Sequence, residues 1–384
     1  MGRIGILSGT FDPVHIGHLA MARACLETMK LERVLLAPVQ KALTPPENRL
    51  AMLRLACRGE RGIEPSPFAM PDGREGAIGL VRAVARAHPG QEIVYILGAD
   101  RLPGIPAWRE TQALFKACAF AVCPRPGYNA QGLSEGLRRQ GARVTLLAYE
   151  GPDISSARVR AKLRLLSDAP GLMERELVAY IAARGLYLPD YARQLRQALS
   201  ASRFAHSLGV RAEGARLALR HGAPIQKAGV AGILHDCAKC MELSRLQTIA
   251  KKGRLMLPPE TMASNALLHG PVGALVSRLR YHVHDEDILN AIRCHTTGRA
   301  DMSPLEMVIF VADAIEPNRR DYPGLKETRA LAEEDLEKAA FVALSSTRDA
   351  IKKRGGVYSP LSAQAIEELK IRLARPKEHK EDMA

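Results

Sequence analysis

Aromatic side chains are scarce in this chain: 7 Phe, 9 Tyr and one Trp among 384 residues, or 4%. A surface that holds single-stranded nucleic acid by base stacking needs successive aromatic platforms, and few are on offer here. Long apolar runs are also missing. None approaches the roughly 18 residues that a membrane-spanning helix requires. The seven cysteines (25, 57, 118, 123, 237, 240 and 294) are odd in number and make no disulfide framework. The strand-like "RIGILSG" near the N-terminus sets the expectation of no secretory leader. Together these absences set the expectation of a reduced, cytoplasmic protein with no membrane partner.

What is present is an ordinary globular composition, 47% hydrophobic and 25% charged. The length suits two or three domains of about 100–200 residues. Lys and Arg number 55 against 41 acidic residues, for a net charge of +14. That balance admits nucleic acid, anionic membranes or polyphosphates as partners. The basic residues are scattered through helical segments, the pattern of solvated faces and phosphate pockets. A nucleic-acid partner is not expected, and a homo-oligomer is left open.

Residues 1–187 alternate strand-like and helix-like runs. The strands read from the sequence are 3–9, 33–39, 92–98, 119–124 and 143–148, with amphipathic stretches such as 18–29 and 49–57 between them. Such alternation predicts a parallel sheet with helices on both faces. A short Pro-containing link at 188–191 follows. From 192 to 373 the strand signal is gone, and apolar residues such as Phe204, Leu208, Ala212, Ala215 and Leu219 recur at helical spacing. This second part reads as an all-α bundle. The charged tail 374–384 is expected to be disordered.

The run "GTFDPVHIGH" (9–18) places a tight turn after a strand, with a helix expected to start near Pro13 or Val14. A helix N-terminus there offers free N–H groups to a phosphate. His15 and His18 are spaced to share a helix face. Gly17 leaves room for close approach of a ligand. The plainer alternative is two surface histidines on an amphipathic helix. The strand, the Gly-Thr turn and the Gly-flanked His within ten residues weigh against it.

This run resembles the nucleotidyltransferase signature. Further landmarks resemble nicotinate-mononucleotide adenylyltransferase: "NRLAMLRLA" (48–56), "REG" (74–76), "LGADRLPGIPAW" (97–108), "RPGY" (125–128), "ISSARVR" (154–160) and "GLY" (185–187). Phosphopantetheine adenylyltransferases share the signature but not the Trp or the RPGY landmark. The resemblance implies a Rossmann-like α/β domain in which a mononucleotide phosphate attacks the α-phosphorus of ATP, assisted by Mg²⁺, and pyrophosphate leaves. It implies that His15 and His18 hold the triphosphate and stabilise the transferring group, within a nucleotide site that includes Gly9, Thr10, Phe11 and Gly17. Ser155, Ser156 and Arg160 would grip phosphates, Asp100 would sit by the nucleotide, Trp108 by the pyridine ring and Arg125 by the mononucleotide phosphate. The chain departs from the family at three places. No Pro-Pro-His-Lys loop is recognisable in "APVQKALTPPENR", Ile78-Gly79-Leu80 replaces Ser-Tyr-Thr, and Ala157 replaces a Thr. The ATP side is therefore better kept than the nicotinate side.

In the second part, His206, His235, Asp236, His269, His295 and Asp313 lie in helix-like contexts. His295 and Asp313 fall on apolar stripes, where a buried carboxylate is costly unless paired or metal-bound. Any one of them reads equally well as a packing residue, but six on successive helices point to a metal site, and imidazole with carboxylate suits iron, manganese or zinc. The rival reading is a zinc site on Cys237 and Cys240 of "ILHDCAKC" (233–240). It needs a second cysteine pair, whereas Cys294 stands alone and the other four belong to the first part.

The order H…HD…H…H…D resembles the HD-domain metal phosphohydrolases, and in particular the YqeK-type enzymes that split diadenosine tetraphosphate symmetrically. The stretches "RFAHSLGV" (203–210), "ILHDCAK" (233–239), "HGPVGA" (269–274), "DEDILNAIRCHTTGR" (285–299) and "VIFVADAIEPNR" (308–319) carry the resemblance. It implies those six residues as ligands of two metal ions, iron by expectation, with Asp236 bridging. It implies Lys239, Thr296, Gly298 and Arg299 as phosphate contacts, with Asn318 and Arg319 near the substrate. His282 and His284 match no motif. The expected small-molecule partners are ATP, nicotinate mononucleotide and diadenosine tetraphosphate. The alternatives are an N-terminal part that only binds ATP or takes another acceptor, and an HD part that acts on another nucleotide phosphoester.

Overall fold

The structure is a computed structural model that describes residues 2–68, 76–356 and 358–375. Arg74 and Glu75 of the "REG" landmark and residues 376–384 of the tail lie outside the described residues. The chain divides into two compact units, Met1–Leu165 with Ala169–Leu177, and Leu166–Asp168 with Val178–Ala384.

The first unit is built on six parallel strands: β1 (Arg3–Gly9), β2 (Arg33–Pro38), β3 (Ile63–Pro65), β4 (Glu92–Gly98), β5 (Ala119–Cys123) and β6 (Val144–Leu146). Their order is β3-β2-β1-β4-β5-β6. β1 is the central strand, with Ile4 opposite Arg33 of β2 on one side and Ile93 of β4 on the other. The sheet order reverses direction between β1 and β4, and in open α/β sheets ligands bind outside the strand C-termini at such a point. Ile4, Ile6, Val94, Ile96, Phe120 and Val122 are fully buried, as expected for strands covered on both faces. The helices are α1 (Ile16–Thr28), α2 (Pro46–Ala56), α3 (Gly76–Ala87), α4 (Thr111–Ala117), α5 (Ala130–Arg139) and α6 (Ser156–Arg164), with a 3₁₀ stretch over Ala99–Ala107. α7 (Arg175–Arg184) follows. Ile78 and Leu80 belong to the buried core of this unit.

The second unit is all helical: α8 (Tyr191–Arg196), α9 (Ala201–His221), α10 (Ile225–Leu234), α11 (Leu243–Lys252), α12 (Pro259–Met262), α13 (Asn265–Arg280), α14 (Glu286–Cys294), α15 (Pro304–Ile315), α16 (Leu325–Glu334), α17 (Leu336–Lys353) and α18 (Pro360–Ala374). α15 is buried over most of its length and packs against α9, α10, α14 and α17. Its start is fixed by a capping box, in which Ser303 accepts from the Glu306 N–H and Glu306 accepts from the Ser303 N–H. α9 opens on the Ser200 cap and stops at Gly222, whose φ of 72° suits a residue without a Cβ.

Candidate active sites

In the first unit the β1 C-terminus leads into the "GTFDP" turn, and α1 begins at Ile16 with His15 as its N-cap. The start is later than the sequence reading, because His15 takes the cap position and Pro13 stands outside the helix. His15 and His18 still meet, with ring centroids 3.8 Å apart. The His15 backbone N–H donates to His18 Nδ1 at 3.2 Å, which leaves the His18 Nε2 proton free to donate elsewhere. Burial, with Arg125 nearby, pushes His15 down to about 4. Burial, with His15 and Arg125 beside it, holds His18 well below the usual imidazole range. Both rings are therefore neutral donors in the free protein.

A cavity of about 370 Å³ opens above these rings, lined by Gly9, Thr10, His15, His18, Asp100, Trp108, Arg125, Ser155, Ser156 and Arg160 among others. Arg125 lies 3.6 Å from Asp100. Gly98 makes this possible, because a Cβ there would stand 2.4 Å from Asp100 Oδ1. Two expected residues have other places. Phe11 is fully buried and packs edge-on against His18. The space above Gly17 is taken by the His15 ring, 3.1 Å from where a Cβ would be. Ser155 caps α6 by accepting from Arg158 N–H, and Ser156 Oγ donates to Pro13 O at 2.8 Å. Arg160 donates to Asp12 O at 2.6 Å. These bonds tie the N-terminus of α6 to the GTFDP turn, so two sets of helix-start N–H groups border one cavity. Ala157 lines the same cavity.

Arg49 lies in the "NRLAMLRLA" landmark, but the sequence assigns it no role, since in an amphipathic stretch it looks like any solvated cation. It is 1% exposed. Its guanidinium donates to the carbonyls of Thr44, Thr10, Val39 and Gln40 at 2.6–3.0 Å. Buried Asp12 accepts from the Leu43 and Thr44 N–H groups at 2.7 and 3.1 Å. The 39–44 loop is thus fastened at both ends to the nucleotide turn.

In the second unit six residues from five helices converge. His206 comes from α9, His269 from α13 and Asp313 from α15. His235 and His295 stand at the ends of α10 and α14, and Asp236 lies in the turn after α10. Asp236 is the centre. Its Oδ1 lies 3.2 Å from His269 Nε2 and 3.5 Å from His295 Nε2. Its Oδ2 lies 3.5 Å from His235 Nε2 and 3.9 Å from His206 Nε2. Asp313 Oδ1 is 2.9 Å from His206 Nε2. His206, His235 and Asp313 offer ligand atoms within 4.8 Å of one another, as do His235, Asp236 and His295. Asp313 is not wholly enclosed as its apolar stripe suggests; its side chain is 18% exposed and opens on a cavity of about 180 Å³.

Burial alone would raise the Asp236 carboxyl, but the imidazoles around it hold it well below the carboxylate range. Burial lowers His235, and the two carboxylates outweigh that and raise it. Burial pushes His269 down to about 4. Two carboxylates and four imidazoles with no thiolate make a donor set that fits a divalent metal of the iron, manganese or zinc type.

Lys239 Nζ sits 3.3 Å from His269 Nε2, and Thr296 Oγ1 sits 3.0 Å from His295 Nε2. Both line the 180 Å³ cavity. Gly298 and Arg299 do not reach it. Gly298 holds a left-handed turn (φ 61°) against Met302 and Ala365. Both arms of the Arg299 guanidinium donate to Glu306 at 2.8 Å. Cys237 is buried and Cys240 exposed, so the two thiols do not face one point. His282 and His284 are exposed. Arg203 was missed; its guanidinium donates to Asp236 Oδ2 at 2.9 Å. Arg319 lies 3.4 Å from Asp313. Both line the 180 Å³ cavity and a second one of about 700 Å³.

A switch-point nucleotide pocket on a parallel sheet and a His/Asp cluster inside a helical bundle define a two-part protein, a nucleotidyltransferase-like domain followed by an HD domain. A cytidylyltransferase-like family matches residues 6–162 and the HD domain family residues 203–318. A probable nicotinate-nucleotide adenylyltransferase/Ap4A hydrolase of Mycoplasma genitalium is 27% identical over 91% of this chain and 99% of its own length. The symmetrical bis(5'-nucleosyl)-tetraphosphatase of Bacillus subtilis is 41% identical over 43% of this chain and 88% of its own. A probable nicotinate-nucleotide adenylyltransferase of Gloeobacter violaceus is 37% identical over 48% and 96%. The chain belongs to the nicotinate-nucleotide adenylyltransferase family in its first half and to the symmetrical bis(5'-nucleosyl)-tetraphosphatase family in its second. Among the described residues no helix is long and apolar enough to cross a membrane.

Proposed function

We propose that the protein is bifunctional: it transfers AMP from ATP to nicotinate mononucleotide, and it splits diadenosine tetraphosphate into two ADP. The observation that carries the second activity is the Asp236 carboxylate, with one oxygen facing His269 and His295 and the other facing His206 and His235.

In the first domain a phosphate oxygen of the mononucleotide attacks the α-phosphorus of ATP. The bond from that phosphorus to the β-phosphate bridging oxygen breaks, and pyrophosphate leaves. His18 Nε2–H, the His15 ring, Arg125, Arg160 and the helix-start N–H groups hold the phosphates in line and neutralise the charge that builds up. Mg²⁺ arrives with ATP. Trp108, edge-on to Tyr95, borders the acceptor side, and Arg49 with Asp12 fixes the loop beside it. In the second domain a water oxygen attacks one of the two central phosphorus atoms, the bridging bond between them breaks, and each product keeps two phosphates. Divalent metal held by the six ligands, iron by this proposal, supplies Lewis acidity and a more acidic water. Arg203, Arg319 and Lys239 place three cations around two ligand carboxylates, and they orient the tetraphosphate.

The domain limits we propose are 1–187 and 192–373, and the setting is the cytoplasm. The test uses the purified full-length protein. With ATP and nicotinate mononucleotide it should release pyrophosphate. With diadenosine tetraphosphate and iron or manganese it should yield ADP alone. ATP with AMP as products, or no pyrophosphate, would overturn the respective half of the proposal.

A further inference from the structure

The four imidazoles of the metal cluster are not oriented alike. His235 Nδ1 is set by Gly232 O at 2.8 Å, His269 Nδ1 by Asn265 O at 3.0 Å and His295 Nδ1 by Ile292 O at 2.8 Å. These are neutral backbone acceptors. His206 Nδ1 meets a carboxylate instead, Glu316 Oε1 at 3.1 Å. Glu316 is 1% exposed, so its charge needs partners on every side. Its Oε2 accepts from the Asn318 N–H at 2.8 Å. Gly209, on the helix that carries His206, leaves space for it; a Cβ there would stand 2.4 Å from Glu316 Oε2. Glu316 lies where α15 ends, and the Arg329 guanidinium donates to the Ile315 and Glu316 carbonyls.

A carboxylate that accepts from one nitrogen of a ligating imidazole fixes the tautomer and makes the other nitrogen a stronger donor. Here that other nitrogen, His206 Nε2, is 2.9 Å from Asp313 Oδ1 and 3.2 Å from His235 Nε2. The half of the cluster around His269 and His295 has only carbonyl-set imidazoles. We propose that Glu316 is a positioning residue that makes the half formed by His206, His235, Asp313 and Asp236 Oδ2 the tighter of two unequal metal positions. The inference rests on the metal-centre reading of the second domain.

Mn²⁺ titrated into metal-free full-length protein, with free Mn²⁺ read by its paramagnetic resonance signal, tests it without substrate. Wild type should show a tight and a weaker class of site. E316Q cannot accept at both of its ends, and G209A pushes the carboxylate aside without altering it. Each should weaken the tight class by about 10–100-fold, leave the weaker class in place and keep the thermal midpoint close to wild type. A tight class that survives in both variants overturns the inference and leaves the metal reading standing. So do equal classes in wild type, or a joint loss of both classes with the thermal midpoint, which would mark a purely structural role. A wild-type protein that takes up no Mn²⁺ overturns both.

Discussion

His15 links the nucleotide site to acid stability. Its imidazole titrates near 4 in the folded chain and near 6.5 when unfolded. A group with a depressed folded value that carries charge when protonated favours the unfolded chain as pH falls. The loss of stability therefore begins near pH 6.5 and is complete near pH 4. At pH 5 it amounts to about 2 kcal/mol. Urea unfolding of the first unit at pH 7.5 and pH 5.0 should show H15Q losing about 2 kcal/mol less than wild type between the two. Parallel losses would mean that the burial of this ring has no such cost. Arg49 makes a second test. R49M would take the donor from four carbonyls, one in a buried bond and three in part-buried ones, and should cost about 1–3 kcal/mol of stability, while R49K, with three donors from one point, should recover part of it. A thermal shift within experimental error of wild type for R49M would show that the loop fastening is dispensable. The histidines were legible because they stand in a dense motif. Arg49 and Arg203 were not, because a cation on an amphipathic helix looks the same in sequence whether its head reaches solvent or a row of carbonyls.

At the scale of elements, strands were read well where both faces are buried, since continuous apolar runs such as "EIVYILG" leave little ambiguity; β4 spans Glu92–Gly98 as expected. β3 went unread because its three residues end on Pro65, which an edge strand tolerates but which reads as a turn signal in sequence. β6 is as short and also at an edge, but the apolar run "RVTLLA" around it marks it. The helix after the GTFDP turn starts later than expected because His15 supplies the cap. At the other end of the chain α18 runs to Ala374, the first residue of the stretch read as a charged tail. Arg299 stands apart from the cavity where the motif reading expects it. Its place after His295 suggests a phosphate contact, yet its fork closes on buried Glu306, the same carboxylate that caps α15. R299K should then leave the KM for diadenosine tetraphosphate within about twofold and lower stability by about 1–2 kcal/mol, as expected for a lost bidentate pair. A tenfold rise in KM with unchanged unfolding would return Arg299 to the substrate.

For the whole molecule, the two halves differ in what they ask of a metal, and that difference can be read in one preparation. Among the described residues, the His/Asp groups able to hold an ion lie in the second unit. The cavity of the first unit is instead lined by neutral imidazoles, arginines and helix-start N–H groups, which suit phosphates that bring their own Mg²⁺. Mg²⁺ favours oxygen ligands in a strict octahedron and keeps much of its water, whereas four imidazoles and two carboxylates suit a first-row transition metal. Protein stripped with a chelator should therefore regain pyrophosphate release on addition of Mg²⁺ alone. Hydrolysis of diadenosine tetraphosphate should stay below about one tenth of the untreated rate until Fe²⁺ or Mn²⁺ is added, and D236A should abolish the second recovery without touching the first. Full hydrolysis with Mg²⁺ alone would remove the argument from donor chemistry. A transferase that needs Fe²⁺ or Mn²⁺ would show that the metal requirements of the two halves are not separate.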